Sequence, residues 1–216
     1  MGYYDLAKKL IHYSYEMVNL AGMKMSGRKG VYVSLDELLN EAKDRVMEIV
    51  RSRFPPGEAD KVAEAVAVGA IRYSFLSVSP SKPLTFSWDK VLNLRQNSGP
   101  FVQYTYVRTN GILEKASEIP RTTQIPDNIV NEERELILLL GEYPEVIARA
   151  AQELRLENMI EYVNRLSLVF NSYYEKYPVL NAEPGIREFR INLVSAVRTV
   201  LGNAMDILGI PKLRRM

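Results

Sequence analysis

The sequence predicts a mainly α protein: an all-α bundle over residues 84–216, preceded over residues 1–83 by two helices attached to an α/β fragment. Three observations predict this. Long stretches after residue 100 carry apolar residues at spacings of three and four, the period of a helix with one buried face. A run of period-two alternation sits near the N-terminus, at residues 11–18. Between the two regions, Ser98, Gly99 and Pro100 break what precedes them and suit the start of a new helix.

Composition bounds what such a chain can do. With 216 residues, 47% of them hydrophobic, it has enough apolar surface for a core of one large or two small domains. It has no cysteine, which excludes disulfides, thiolate nucleophiles and cysteine-ligated zinc. Its single histidine, His12, keeps a Ser-His-Asp triad formally open but leaves no multi-histidine metal site, and no metal is expected. In an alternating run, His12 reads as a packed or hydrogen-bonded imidazole. The N-terminus lacks an apolar signal core, and the longest unbroken apolar runs, such as residues 65–68 and 136–140, are far shorter than a membrane span. A cytoplasmic protein with no membrane partner is expected.

The net charge of +2 is too small to announce a nucleic-acid partner, and the distribution says more. Lys24, Arg28 and Lys29 share one loop, and Lys212, Arg214 and Arg215 crowd the last five residues. Residues 132–161 carry eight glutamates against three arginines, a solvated face that repels phosphate.

Taken in order, residues 3–10 read as the end of a helix. Residues 11–18 read as a strand with Ile11, Tyr13, Tyr15 and Met17 on one side, and with little to pair with beyond a short piece at residues 30–33. Residues 22–30 hold three glycines and three cations. Such a loop either closes over a polyphosphate, with lysines as movable charges and Ser26 as a donor, or is a solvated basic turn. Ser34 to Glu37 has the form of a capping box. The helix it opens carries Leu35, Leu38, Leu39, Ala42, Val46, Ile49 and Val50 on one face and stops at Pro55-Pro56-Gly57.

A second helix, residues 58–77, stripes Val62, Ala63, Val66, Ala70 and Tyr73, with Gly69 placed for a close helix contact. Residues 84–86 form a short extended piece, and Ser87 is a plausible N-cap for a short helix over 88–94. The next helix, residues 100–119, sets Phe101, Tyr104 and Arg108 at i, i+3 and i+7, two rings and a guanidinium on one stripe. Such a stripe either stacks bases and holds a phosphate or is ordinary core with a solvated arginine; the residues alone leave both open. Helices follow over 128–141, from Pro144 to 154, and over 157–177, the last with Ile160, Val163, Leu166, Phe170 and Tyr174. A final helix, 185–208, ends at Gly209 and Pro211.

Four stretches fit together as one pattern: Lys24-Met25-Ser26-Gly27-Arg28-Lys29-Gly30; Leu84-Thr85-Phe86-Ser87-Trp88-Asp89; residues 97–108; and Leu208-Gly209-Ile210-Pro211 with the closing Arg215-Met216. In order and spacing they resemble the C-terminal half of an arginyl-tRNA synthetase, a class I aminoacyl-tRNA synthetase, over nearly the whole chain. The resemblance implies that residues 1–83 are a remnant of the class I catalytic domain and residues 84–216 a helical anticodon-binding domain.

It implies roles as well. Lys24, Met25 and Ser26 match the lysine-methionine-serine loop that closes over ATP when arginine is activated. Gly27 stands where a second lysine is usual, and Arg28 or Lys29 would supply its charge. Phe101, Tyr104, Arg108, Phe170, Tyr174 and Met216 match positions that hold unstacked anticodon bases, Phe101 standing in for a usual tyrosine. The implied partners are tRNA(Arg), ATP with Mg in the complete enzyme, and an N-terminal catalytic half if the synthetase is split. The paired-histidine class I signature cannot exist with His12 followed by Tyr13 and Ser14, so this polypeptide alone is expected to be inactive. The alternative is a stand-alone tRNA-binding module. A strand at 11–18 cut from a larger sheet would also promote self-association.

Overall fold

The computed structural model describes residues 2–21, 32–116, 118–120 and 125–216. The described elements run α1 (Tyr4–Ala7), β1 (Val18–Leu20), α2 (Leu35–Val50), α3 (Pro56–Leu76), β2 (Leu84–Phe86), α4 (Trp88–Val91), α5 (Gly99–Ala116), α6 (Asn131–Glu153), α7 (Glu157–Lys176) and α8 (Ile186–Leu208). The fold is mainly α, as predicted.

The expected strand at residues 11–18 is corrected. Only Val18 to Leu20 pair, in parallel with Leu84 to Phe86. Ile11, Tyr13, Tyr15 and Met17 are exposed, and so is His12. Alternation alone makes no strand without a neighbouring backbone to bond, and upstream of Val18 the described contacts are isolated ones, such as Glu16 N–H to the Pro80 carbonyl at 2.8 Å.

The α2 capping box is present in full: the Glu37 N–H donates to the Ser34 hydroxyl at 3.2 Å, and the Ser34 N–H donates to the Glu37 carboxylate at 2.7 Å. That backbone bond, with the Ser34 hydroxyl donating to the same carboxylate at 2.9 Å, holds the Glu37 carboxyl below its ordinary range. Leu38, Ala42, Val46 and Val50 bury against α3, whereas Leu35 and Ile49, expected on the same face, are exposed. The expected stripe on α3 is buried throughout. Ser87 takes the N-cap position of α4 without a side-chain bond.

Alpha 5 begins where the chain turns sharply. Asn97 adopts a left-handed conformation at φ 52°, and the Phe101 N–H donates to the Ser98 hydroxyl at 3.1 Å, capping the helix. Here α5 meets α3 backbone to backbone. A Cβ on Gly99 would run into the carbonyl of Gly69, and one on Gly69 would meet the Gln103 amide. The buried Gln103 fills the crossing, its Nε2 donating to the Ala65 carbonyl at 3.0 Å and to the Pro211 carbonyl at 2.9 Å.

The sequence reading placed two helices over 128–154; there is one, with Pro144 inside it. Proline deprives the Leu140 carbonyl of its helical donor. Packing nevertheless holds the two halves in line: Leu136, Leu139, Tyr143 and Ala150 bury on one side, and the Tyr162 hydroxyl from α7 donates to the Leu139 carbonyl at 2.8 Å. The bundle core comes from α5 to α8, with Leu136, Val163, Leu166, Phe170, Val197 and Leu201 fully buried and Tyr73 of α3 packed against them. Each such side chain contributes about 1.5–3 kcal/mol. Alpha 8 is long and apolar enough by composition to cross a membrane, but half of that window is buried within the fold.

Beyond α8, Gly209 turns the chain at φ 65° and residues 210–216 cross the molecule. Ile210 enters the bundle core, the Leu213 carbonyl accepts from Asn110 at 3.2 Å, and Leu213 and Met216 pack against the α2–α3 cluster.

Gly99→Ala is expected to lower unfolding free energy by about 1–3 kcal/mol through overpacking against rigid backbone. Gly141→Ala, in an open part of α6, should raise it by about 0.5–1 kcal/mol. Chemical denaturation of the two variants beside the parent checks both signs.

Candidate nucleic-acid interface

The aromatic stripe divides along its length. Phe101 and Phe170 are 4% and 0% exposed, so neither offers a face to a base, and their expected role as stacking platforms is corrected to core packing. The turn of α5 carrying Phe101 is covered by α3, and Phe170 lies under Tyr174, with ring centroids 6.3 Å apart and planes at 20°. Tyr104, Arg108, Tyr174 and Met216 remain at the surface or partly so, with Tyr174 40% exposed. Lys24, Met25, Ser26, Arg28 and Lys29 lie outside the described residues.

Four residues form one row. The Arg108 guanidinium lies 4.6 Å from the Tyr104 ring centroid and 5.0 Å from that of Tyr174, a cation held between two π-faces from α5 and α7. Met216 lines a small apolar recess with Tyr104, Leu94 and Val46. The row thus offers apolar ring and thioether surface with one fixed positive charge in it. Bases stack on such rings at about 1–3 kcal/mol each, and a guanidinium binds phosphate or a base edge through paired N–H donors.

Asn171, which the sequence reading missed, sets the guanidinium in place. Its Oδ1 accepts from Arg108 Nη1 at 2.7 Å while its Nδ2 donates to the Thr105 hydroxyl at 2.7 Å and to the Ser167 carbonyl at 2.9 Å. The Tyr104 hydroxyl accepts from Arg108 Nη2 at 3.3 Å. An amide in the interior of a helix, beside a run of core positions, was the available signal, since asparagine is a poor interior helix residue without a polar partner.

Beside the row lies a groove of about 520 Å³ between α5 and residues 177–181, lined by Arg108, Lys115, Tyr174 and Tyr177 among others. Its outer wall is irregular backbone held by two arginines of α8: Arg190 Nη1 donates to the Pro178 carbonyl at 2.7 Å and Arg187 Nε to that of Leu180 at 3.1 Å. Arg190 also donates from Nε to the Glu133 carboxylate at 2.7 Å, with both side chains nearly buried. That carboxylate accepts in addition from the Tyr173 hydroxyl at 3.3 Å and the Val130 N–H at 2.9 Å. Burial pushes the Tyr173 phenol well above its usual range, so it stays a neutral donor to Glu133.

Residues 102–216 match the family model described as the DALR anticodon binding domain, more than half of the chain. The chain belongs to the DALR anticodon-binding domain family. Ahead of this anticodon-binding domain, residues 1–88 match the model described as the catalytic domain of class I tRNA synthetases (R). The family resemblance drawn from the motifs therefore holds.

A curated arginine–tRNA ligase of Pyrobaculum aerophilum is 56% identical over 216 residues, which are 100% of this chain and 34% of that protein. Another, from Thermococcus kodakarensis, is 41% identical over 229 residues, covering 100% of this chain and 36% of its own length. The solved arginyl-tRNA synthetase of Thermus thermophilus matches with a TM-score of 0.87 at 36% identity, over 100% of this chain and 37% of that one. The Plasmodium falciparum arginyl-tRNA synthetase, at 21% identity and a TM-score of 0.75, shares the fold. The chain spans about a third of the length of the curated relatives it matches.

The anticodon-binding domain depends on its buried ion pair more than on any surface one. Glu133→Ala leaves the Arg190 charge uncompensated and is expected to cost about 3–5 kcal/mol of unfolding free energy. Glu145→Ala, which removes an exposed pair with Arg149, should cost about 0–1 kcal/mol. Urea titration of the two variants distinguishes them.

Proposed function

We propose that the chain is the C-terminal part of an arginine–tRNA ligase that binds tRNA(Arg) through its anticodon region. The observation that carries this reading is the Arg108 guanidinium held between the Tyr104 and Tyr174 rings, within residues that match the anticodon-binding domain. Sequence-specific RNA readers splay bases from loops and hold them on aromatic and arginine groups, and the open Tyr174 ring with the Arg108 guanidinium beside it supports that mode here. Met216 extends the platform beside Tyr104. A near-neutral chain suits this mode, because stacking contributes affinity that net charge does not.

In this reading residues 84–216 are the RNA-reading domain and residues 1–83 a part of the catalytic domain. Lys24, Met25 and Ser26, with Arg28 or Lys29, contribute a loop that closes over ATP and Mg during arginine activation, acting together with a nucleotide-binding domain of the cytoplasmic enzyme. The exposed Ile11, Tyr13, Tyr15 and Met17 and, among the described residues, a parallel sheet of two strands support a neighbour on that side, either the N-terminal part of the synthetase or a second copy.

The test is binding of an arginine-tRNA anticodon stem-loop transcript, followed by fluorescence anisotropy. Tyr174→Ala and Arg108→Gln are each expected to weaken binding about 5- to 150-fold, the equivalent of about 1–3 kcal/mol. Phe101→Leu, in the core, should leave the affinity within about twofold. Unchanged affinity in both of the first two variants would remove the reading.

A further inference from the structure

We propose that Glu175 is the resident counter-anion of the RNA site: its carboxylate stands beside Arg108 where an RNA phosphate would stand, so that binding exchanges one anion for another. The proposal rests on the RNA-binding reading of Tyr104, Arg108 and Tyr174.

The Arg108 environment leads to it. A guanidinium has five N–H donors and two flat faces. The Arg108 Cζ lies over two rings, those of Tyr104 at 4.6 Å and Tyr174 at 5.0 Å, while Nη1 is bonded to Asn171 and Nη2 to the Tyr104 hydroxyl. The remaining described charge partner is Glu175, with Oε1 3.6 Å from Nη1.

That contact differs in kind from the others. At 3.6 Å it is an ion pair without a directional hydrogen bond. The Glu175 side chain is 68% exposed, against 21% for Arg108, so water screens the pair and the long side chain gains little from staying. Asn171 and the rings hold the guanidinium; Glu175 only neutralises it. The groove alongside has two cations among its lining residues, Arg108 and Lys115, and Glu175 is the one acid among them. A phosphate entering there gains two cations and displaces one carboxylate.

The size of the effect follows from that geometry. Two opposite charges about 4 Å apart in water attract by an amount equivalent to roughly a fivefold change in affinity, and the parent gives that up when the carboxylate makes way for phosphate. Because Arg108 meets one phosphate whether or not the carboxylate was there first, the number of phosphates neutralised, and with it the log–log salt slope, stays close to that of the parent.

The experiment uses the full chain and the same stem-loop transcript, titrated at several potassium chloride concentrations. Glu175→Gln and Glu175→Ala are both expected to tighten binding about fivefold at low salt and to leave the salt slope close to that of the parent. Glu145→Gln removes the same charge from a distant exposed pair and should change affinity less than twofold. Glu175→Gln binding no tighter than the parent, while Arg108→Gln weakens binding, would overturn the counter-anion proposal and leave the RNA site standing. Equal tightening by Glu145→Gln would reduce the effect to net charge and overturn it too. If neither Arg108→Gln nor Glu175→Gln alters affinity, the site reading and this proposal fall together.

Discussion

The bare backbone contact between Gly69 of α3 and Gly99 of α5 is the constraint on which the remaining geometry depends. It brings two helices closer than side chains allow, and it does so at the first turn of α5, the helix that carries Tyr104 and Arg108. Gln103 then bonds α3 and the crossing C-terminal segment with a single amide. Because its nitrogen serves two carbonyls at once, the crossing cannot slide without losing both bonds in a buried place, where an unmade bond is expensive. The angle at which α5 leaves α3 therefore decides which of its turns are covered and which emerge.

That emergence separates the two kinds of aromatic in this chain. Phe101 and Arg108 share a helical stripe, but α3 covers one turn and not the other. On α7, Phe170 is core and Tyr174, one turn later, is partly open. The buried ring is not wasted in either helix. Phe170 supports Tyr174 from beneath at near-parallel planes, and a ring backed by packed core keeps its orientation when a base arrives.

Much of the fold was legible in residue spacing, and the reason it was not all legible is physical. The Ser34–Glu37 box and the Gly209 stop act through local bonds, and each stands where the residues place it. Periodicity names the stripe that faces inward but not where along the stripe the neighbouring helix ends, so it leaves Phe101 open between core and surface, and the family resemblance then groups Phe101 and Phe170 with the surface residues. Alternation at residues 11–18 names a face and supplies no partner strand. Pro144 marks a lost hydrogen bond, yet long-range packing from Tyr162 outweighs it. Of the candidate site, the family resemblance names Tyr104, Arg108, Tyr174 and Met216, whereas Asn171 and Glu175 enter only through contacts between residues more than 60 apart in sequence.

The Glu133–Arg190 pair that fixes the groove wall has a consequence for heat. Withdrawing ions from water becomes less costly as temperature rises, because the ordering of water around charges grows less favourable, while hydrophobic gain per unit area levels off. The groove wall is irregular backbone, the part of a fold that ordinarily loosens first on warming. Here its Pro178 carbonyl hangs on a buried guanidinium whose carboxylate partner is held in turn by a phenol and a backbone N–H. The loop-built side of the groove is thus anchored by the interaction that loses least as temperature climbs, and its shape should outlast that of ordinary surface loops on the same molecule.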